Sequence, residues 1–199
     1  MAPLFSIELG QGERRQLPLI ARQSIRQGLD VGTALQVDLH TLPPALHAPM
    51  GVFVTLTSNG SLKGCIGSME SADPLAQAVA DNAYAAAFRD HRFAPLQVAE
   101  LDGTDIEISI LSPMAPLQVR DRAQLLDTLR PGIDGLLLED EHHRSTFLPA
   151  VWQQLPSPEE FLDHLLSKAG LATDHWSETL RLYRYETLCL GEHEVSCKP

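Results

Sequence analysis

The apolar positions of this chain change period several times, and each change marks an element. From Arg14 to Gln27, Leu17, Ile20, Ala21, Ser24 and Ile25 recur at helical spacing, and Gly28 continues that face. The spacing predicts a helix with Pro18 in its first turn and Gly28 as its stop. Asp38 to Met50, with Pro43, Pro44 and Pro49, reads as an ordered loop. From Gly51 to Thr57 the period falls to two, which predicts a strand. Asn59-Gly60 is a favoured two-residue hairpin turn, and Ser61 to Ile66 is the return strand. Alternation puts Lys63 and Cys65 on one face, and a two-residue loop sets Cys65 opposite Val54 and Lys63 opposite Leu56. Asp73-Pro74 reads as the cap and first residue of an alanine-rich helix reaching about Phe88, suited to close packing on a sheet.

Arg89 to Pro95 follows as a charged turn anchored by Phe93. Thr104 to Ser112 alternates again, with Ile106, Ile108 and Ile110 facing one way and Asp105, Glu107 and Ser109 the other. Leu136 to Glu139 and Thr146 to Leu148 predict a second hairpin around His142 and His143. Ser157-Pro158-Glu159-Glu160 is a capping box, and Phe161, Leu162, Leu165, Leu166 and Ala169 form an apolar helix face ending at Gly170. Leu180 to Leu190 closes the chain as one or two strands. Hairpins interrupted by single helices predict an α+β fold with a mainly antiparallel or mixed sheet and flanking helices.

Composition narrows the function classes. The chain has 199 residues, enough for one domain, whole or divided into two subdomains. A net charge of −11 and a pI near 5.0 argue against nonspecific nucleic-acid binding and against docking on anionic membranes. No signal peptide shows in Met1 to Gly10, and no 18-residue apolar run exists, so a cytoplasmic protein is expected. Asn59-Gly60-Ser61 then reads as a turn only. Cys65, Cys189 and Cys197, without C-x-x-C spacing, fit reduced thiols better than a disulfide framework.

The chemistry concentrates in Leu62-Lys63-Gly64-Cys65-Ile66-Gly67. Glycine on either side of the thiol lets a ligand or another backbone come close, and a lysine two residues away can favour the thiolate. Cys65 is therefore either a nucleophile or a small packed residue. The candidate bases are His91, His142 and His143. Glu107 and Ser109 form either a solvated sheet face or a pocket wall, and Arg92 either a structural ion pair, oriented by Asp90, or an anion-binding group. Lys168 fits a helix C-terminus. Adjacent His142 and His143 point to opposite faces of a strand, and no paired ligands exist elsewhere, so no metal site and no cofactor are expected. Nucleotide-loop and serine-hydrolase patterns are absent.

Taken in order, several stretches resemble the AMMECR-one domain family, the A protein of the AmmeMemoRadiSam system. They are Leu62 to Gly67, Asp90-His91-Arg92-Phe93 with Pro95-Leu96, Glu107 to Ser112, Gly132 to Leu136, Phe147-Leu148-Pro149 and Lys168-Ala169-Gly170-Leu171. The resemblance spans Leu62 to Leu171 and implies two closely packed lobes with a cleft, and a Memo-like and a radical-SAM protein as partners. Two positions depart from the family: Lys63 where arginine is common, and Gln154-Leu155-Pro156 where a Gly-Trp pair often stands. Two readings follow. One is a Cys-dependent transferase or hydrolase with Cys65, Lys63 and Glu107 catalytic and with Arg92, Ser109, Gly64 and Gly67 around a small polar or anionic ligand. The other is a non-catalytic adaptor that presents a substrate or partner.

Overall fold

The computed structural model describes residues 9–192. The expectations for Met1 to Gly10 fall mostly, and that for Cys197 wholly, outside these residues. The architecture is α+β, with two four-stranded sheets in two compact units. Among described residues, one unit comprises 9–111 with 188–192, and the other comprises 112–187.

In the first unit, helices α1 (Gln11–Val31) and α2 (Leu75–Phe88) pack together and against a sheet of order β2-β1-β3-β8. Its strands are β1 (Val52–Ser58), β2 (Ser61–Ser68), β3 (Thr104–Leu111) and β8 (Thr187–Gly191). The core comes from Leu17, Ile25, Val54, Leu56 and Ile108, together with the alanines of α2.

Helix α1 is longer than its apolar period predicts, so Pro18 lies inside it rather than in its first turn. Gly28 is not the stop. A Cβ there would come within 2.3 Å of the Phe88 ring and 2.7 Å of Tyr84, so glycine is needed for close approach to α2. The helix ends at Gly32, with φ 76° and its N–H returned to the Gly28 carbonyl. The cap of α2 is Pro74, one residue later than Asp73. In the turn after α2, Phe93 is only half-buried. Leu96 is the buried anchor, tied to the Ala87 carbonyl at 2.9 Å.

The first hairpin forms as its turn residues dictate, with Asn59 at φ 49° and Gly60 at φ 75°. Its register differs from the expected one. Thr57 pairs with Leu62 but Leu56 pairs with Gly64, so Lys63 is the extra residue of a β-bulge. Cys65 therefore faces Thr55, not Val54. Packing explains the shift: a Cβ on Gly64 would lie 2.0 Å from the Ala86 carbonyl oxygen of α2. Only a residue without a side chain fits against the helix at this point, and the bulge puts Gly64 there.

The second unit has a sheet of order β4-β7-β5-β6. Its strands are β4 (Ala115–Pro116), β5 (Gly135–Asp140), β6 (His143–Phe147) and β7 (Arg181–Tyr185). Helix α4 (Pro158–Lys168) buries Phe161, Leu162, Leu165 and Leu166 as its pattern predicts. Only half of the expected capping box forms: Ser157 accepts from the Glu160 N–H, while its hydroxyl donates to Glu159. Helix α3 (Arg122–Thr128), capped by Asp121, is short and lacks an apolar period, so the pattern misses it. Trp152 stacks on Phe161 at 3.8 Å and donates to the Asp134 carbonyl at 2.7 Å. The closing segment is two strands that join different sheets, with Glu186 between them. Among the described residues, no helix is long and apolar enough to cross a membrane.

Candidate functional site

Strand β1 sorts the first sheet into two faces. Val52, Val54 and Leu56 are fully buried in the core. Phe53, Thr55 and Thr57 point to the other face. Thr55 lies between Cys65 on β2 and Glu107 on β3, and Phe53 lies between Gly67 and Ser109. Cys65, Glu107 and Ser109 thus share one face of one sheet.

Cys65 is a free, half-buried thiol, and the Thr55 hydroxyl donates to its Sγ at 3.3 Å. Glu107 is two strand spacings away, roughly 10 Å between Cα atoms. That is too far to take the thiol proton directly, but a small ligand lying across Thr55 reaches both groups. Desolvation raises the Glu107 pKa although the residue is exposed by area. The two observations are compatible, because the surroundings of the carboxyl, rather than the area of the whole side chain, set the cost of its charge. Ser109 is buried, with its hydroxyl 3.6 Å from the Cys189 sulfur. Cys189 is disulfide-bonded, which corrects the expectation of a reduced thiol at that position, whereas Cys65 is free as expected.

The backbone of Cys65 is held from outside the sheet. β2 is an edge strand, and edge groups left unpaired invite foreign strands. Here Asp90 Oδ2 accepts the Cys65 N–H at 2.9 Å, and Arg92 Nη2 donates to the Cys65 carbonyl at 3.2 Å. The carboxylate and guanidinium are bonded to each other at 2.7 and 2.9 Å, so together they stand in for a neighbouring strand at one residue. The Arg92 guanidinium, with the Cys65 and Arg92 N–H groups, holds the Asp90 carboxyl well below the usual carboxylate range.

This geometry redistributes the expected roles. The bulge interrupts the alternation meant to align Lys63 with Cys65, and the Lys63 ammonium bonds Glu100 at 2.9 Å. Arg92 is the cation near the thiol, oriented by Asp90 as its spacing suggests. Gly64 belongs to the face packed on α2. Gly67 leaves room for Phe53, whose Cγ would lie 2.5 Å from a Cβ there. His91 is exposed between Asp90 and Arg92, while His142 and His143 belong to the other unit. Thr55 escapes a reading based on residue type. Only the true register, hidden by the bulge, puts it beside the thiol. Among the described residues, no group of His, Cys, Asp and Glu is placed to hold a metal ion.

Comparison with known proteins places this arrangement in context. The AMMECR1 family profile matches residues 19–190. A protein of Methanothermobacter thermautotrophicus is 38% identical, over 92% of this chain and 96% of its own length. Protein SSO0193 of Saccharolobus solfataricus is 36% identical, over 93% of this chain and 84% of its own. The crystal structure of the uncharacterized protein PH0010 from Pyrococcus horikoshii matches with a TM-score of 0.80 at 31% identity, covering 88% of this chain and 89% of that one.

Proposed function

The chain belongs to the AMMECR1 family, and we propose that it acts through the thiol of Cys65 on a small ligand bound across Thr55. The observation that carries this reading is the row Cys65–Thr55–Glu107 on one sheet face, with the Thr55 hydroxyl on the sulfur. The Thr55 hydroxyl orients the sulfur toward the centre of that row. In the concrete version, the Cys65 sulfur forms a bond to the carbonyl carbon of an activated acyl group. The bond to the leaving group breaks, and the leaving group departs with a proton. Glu107, whose desolvated carboxyl holds its proton to higher pH than usual, is placed to donate it. The acyl group then passes to water or to an acceptor, so the activity is that of a hydrolase or transferase. Arg92, close to the thiol and 60% exposed at its side chain, suits an anionic part of the ligand. In this reading the protein works in the cytoplasm with the Memo-like and radical-SAM partners that the resemblance implies.

A second reading rests on a specific feature. Among the described residues, the Cys65 sulfur has a hydroxyl partner but no titratable base bonded to it. A binding module that presents a substrate or partner needs no such base.

The experiment is intact-mass and peptide-level spectrometry after exposure to p-nitrophenyl acetate and, separately, iodoacetamide. Cys65 is expected to acquire both labels in the native protein. Thr55→Val should slow alkylation, because the sulfur loses the hydroxyl that orients it. Lys63→Met should change it less than about twofold, because its charge is screened and already engaged with Glu100. Glu107→Gln should leave both labelling reactions unchanged, since iodide and p-nitrophenolate depart without a proton, and should slow acylation by ethyl thioacetate, whose more basic thiolate needs one. If Cys65 labels only after denaturation, the covalent reading fails and the binding module stands.

A further inference from the structure

A second site lies in the other unit, beside strands β4 and β7. A cavity of about 320 Å3 opens there between Leu117, Val119, Leu180 and Leu182, with Trp176 as one wall. All of these except Leu182 are only partly buried against the unit's core, so they leave apolar surface uncovered. The volume is at the small end of ligand pockets, which run from roughly 300 to 1,000 Å3. It suits a molecule the size of one amino acid rather than a nucleotide.

The wall is built with care. Asp140, a buried residue at the end of β5, accepts hydrogen bonds from His175, Ser177 and Thr179. Trp176 is thus pinned on both sides through one carboxylate. These bonds, that of Thr179 foremost, hold the Asp140 pKa down at about 2, so the clamp stays charged at neutral pH.

Two opposite charges line the same cavity. Arg120 is oriented by Gln124, which accepts from its backbone N–H at 2.9 Å and its Nε at 3.3 Å. Among the described residues its two Nη groups have no hydrogen-bond partner. Glu178 is exposed and has no ion-pair or hydrogen-bond partner among the described residues either. The two do not pair with each other, although both border one small cavity. A simple carboxylic acid would meet Glu178 as a like charge, and a simple amine would meet Arg120 as one. A zwitterion satisfies both.

We propose that this cavity binds a free apolar α-amino acid, its carboxylate on Arg120, its ammonium on Glu178 and its side chain against Trp176 and Leu180. The site is separate from Cys65 and stands or falls independently of the thiol reading.

Isothermal titration calorimetry on the full chain tests it with L-leucine, 4-methylpentanoate, which lacks the ammonium, and 3-methylbutylamine, which lacks the carboxylate. L-leucine is expected to bind saturably and more tightly than either analogue. Arg120→Gln should weaken L-leucine by at least about tenfold and strengthen the amine. Glu178→Gln should weaken L-leucine and strengthen the acid. Both side chains are exposed, so both variants are expected to fold, which circular dichroism verifies. Absence of saturable L-leucine binding to the wild-type protein overturns the proposal. So does equal binding by Arg120→Gln. Tighter binding of a leucyl peptide than of L-leucine overturns it in favour of a peptide amino terminus.

Discussion

Gly64→Ala is expected to destabilise the protein by at least about 3 kcal/mol, enough to remove much of the stability of a typical domain. The added methyl would sit 2.0 Å from the Ala86 carbonyl oxygen and 2.9 Å from its carbon. Both are backbone atoms of α2, so no side chain can turn aside to make room. Either the helix lifts from β1 and β2 or the bulge unwinds, and each exposes core leucines and alanines. Gly60→Ala is the control in the same hairpin. A Cβ there meets nothing within 4 Å, but φ is 75°, so the cost is only the backbone strain of about 1–2 kcal/mol. Urea unfolding of the two variants separates crowding from strain. Equal costs would mean that α2 does not press on Gly64.

The second large effect is expected at Asp90. Asp90→Ala removes the acceptor of the Cys65 N–H and the partner of the Arg92 guanidinium together. A hydrogen bond to a charged group contributes roughly 1.5–3 kcal/mol, and an expected loss of about 3 kcal/mol follows. Arg92→Ala should cost about 1 kcal/mol, because its side chain is 60% exposed and water can replace its bond to the Cys65 carbonyl. The pH dependence has a definite sign. The folded Asp90 pKa is lowered from 3.8, so its contribution is present above about pH 4. It is lost as pH falls, because the unfolded chain takes up the proton first. Wild-type stability should therefore drop between about pH 4 and pH 2, and Asp90→Ala should flatten that part of the profile. Denaturant midpoints across this range measure both. A profile identical to wild type would show that the Asp90 clamp does not form.

These two residues also show what was legible in the chain. Asp90 is visible by sequence as the residue that orients Arg92, three positions before Phe93 in a charged turn. Its bond to the Cys65 N–H is not, because the partner lies 25 positions away and is a backbone group that every residue type shares. The cation assigned to the thiol shows the same limit. Lys63 is nearest in sequence, but one inserted residue in β2 sends it to Glu100, and Arg92 takes its place.

What the sequence determined by itself is what local physics enforces. Asn59-Gly60 accepts positive φ at both turn positions and so makes the hairpin. Alternating isoleucines make β3 a half-buried strand with Glu107 and Ser109 on its other face. The helical spacing of Phe161, Leu162, Leu165 and Leu166 makes α4. In each case the cost of the alternative falls on the residues themselves or on their immediate neighbours. Tertiary structure decided the bulge at Lys63, the placing of Thr55 beside Cys65, the glycine contact at Gly28 and the orientation of Arg120 and Glu178 around one cavity. There the deciding energy is steric or electrostatic contact with groups distant in the chain, such as the Ala86 carbonyl and the Phe88 ring, and no local pattern encodes how near those groups come.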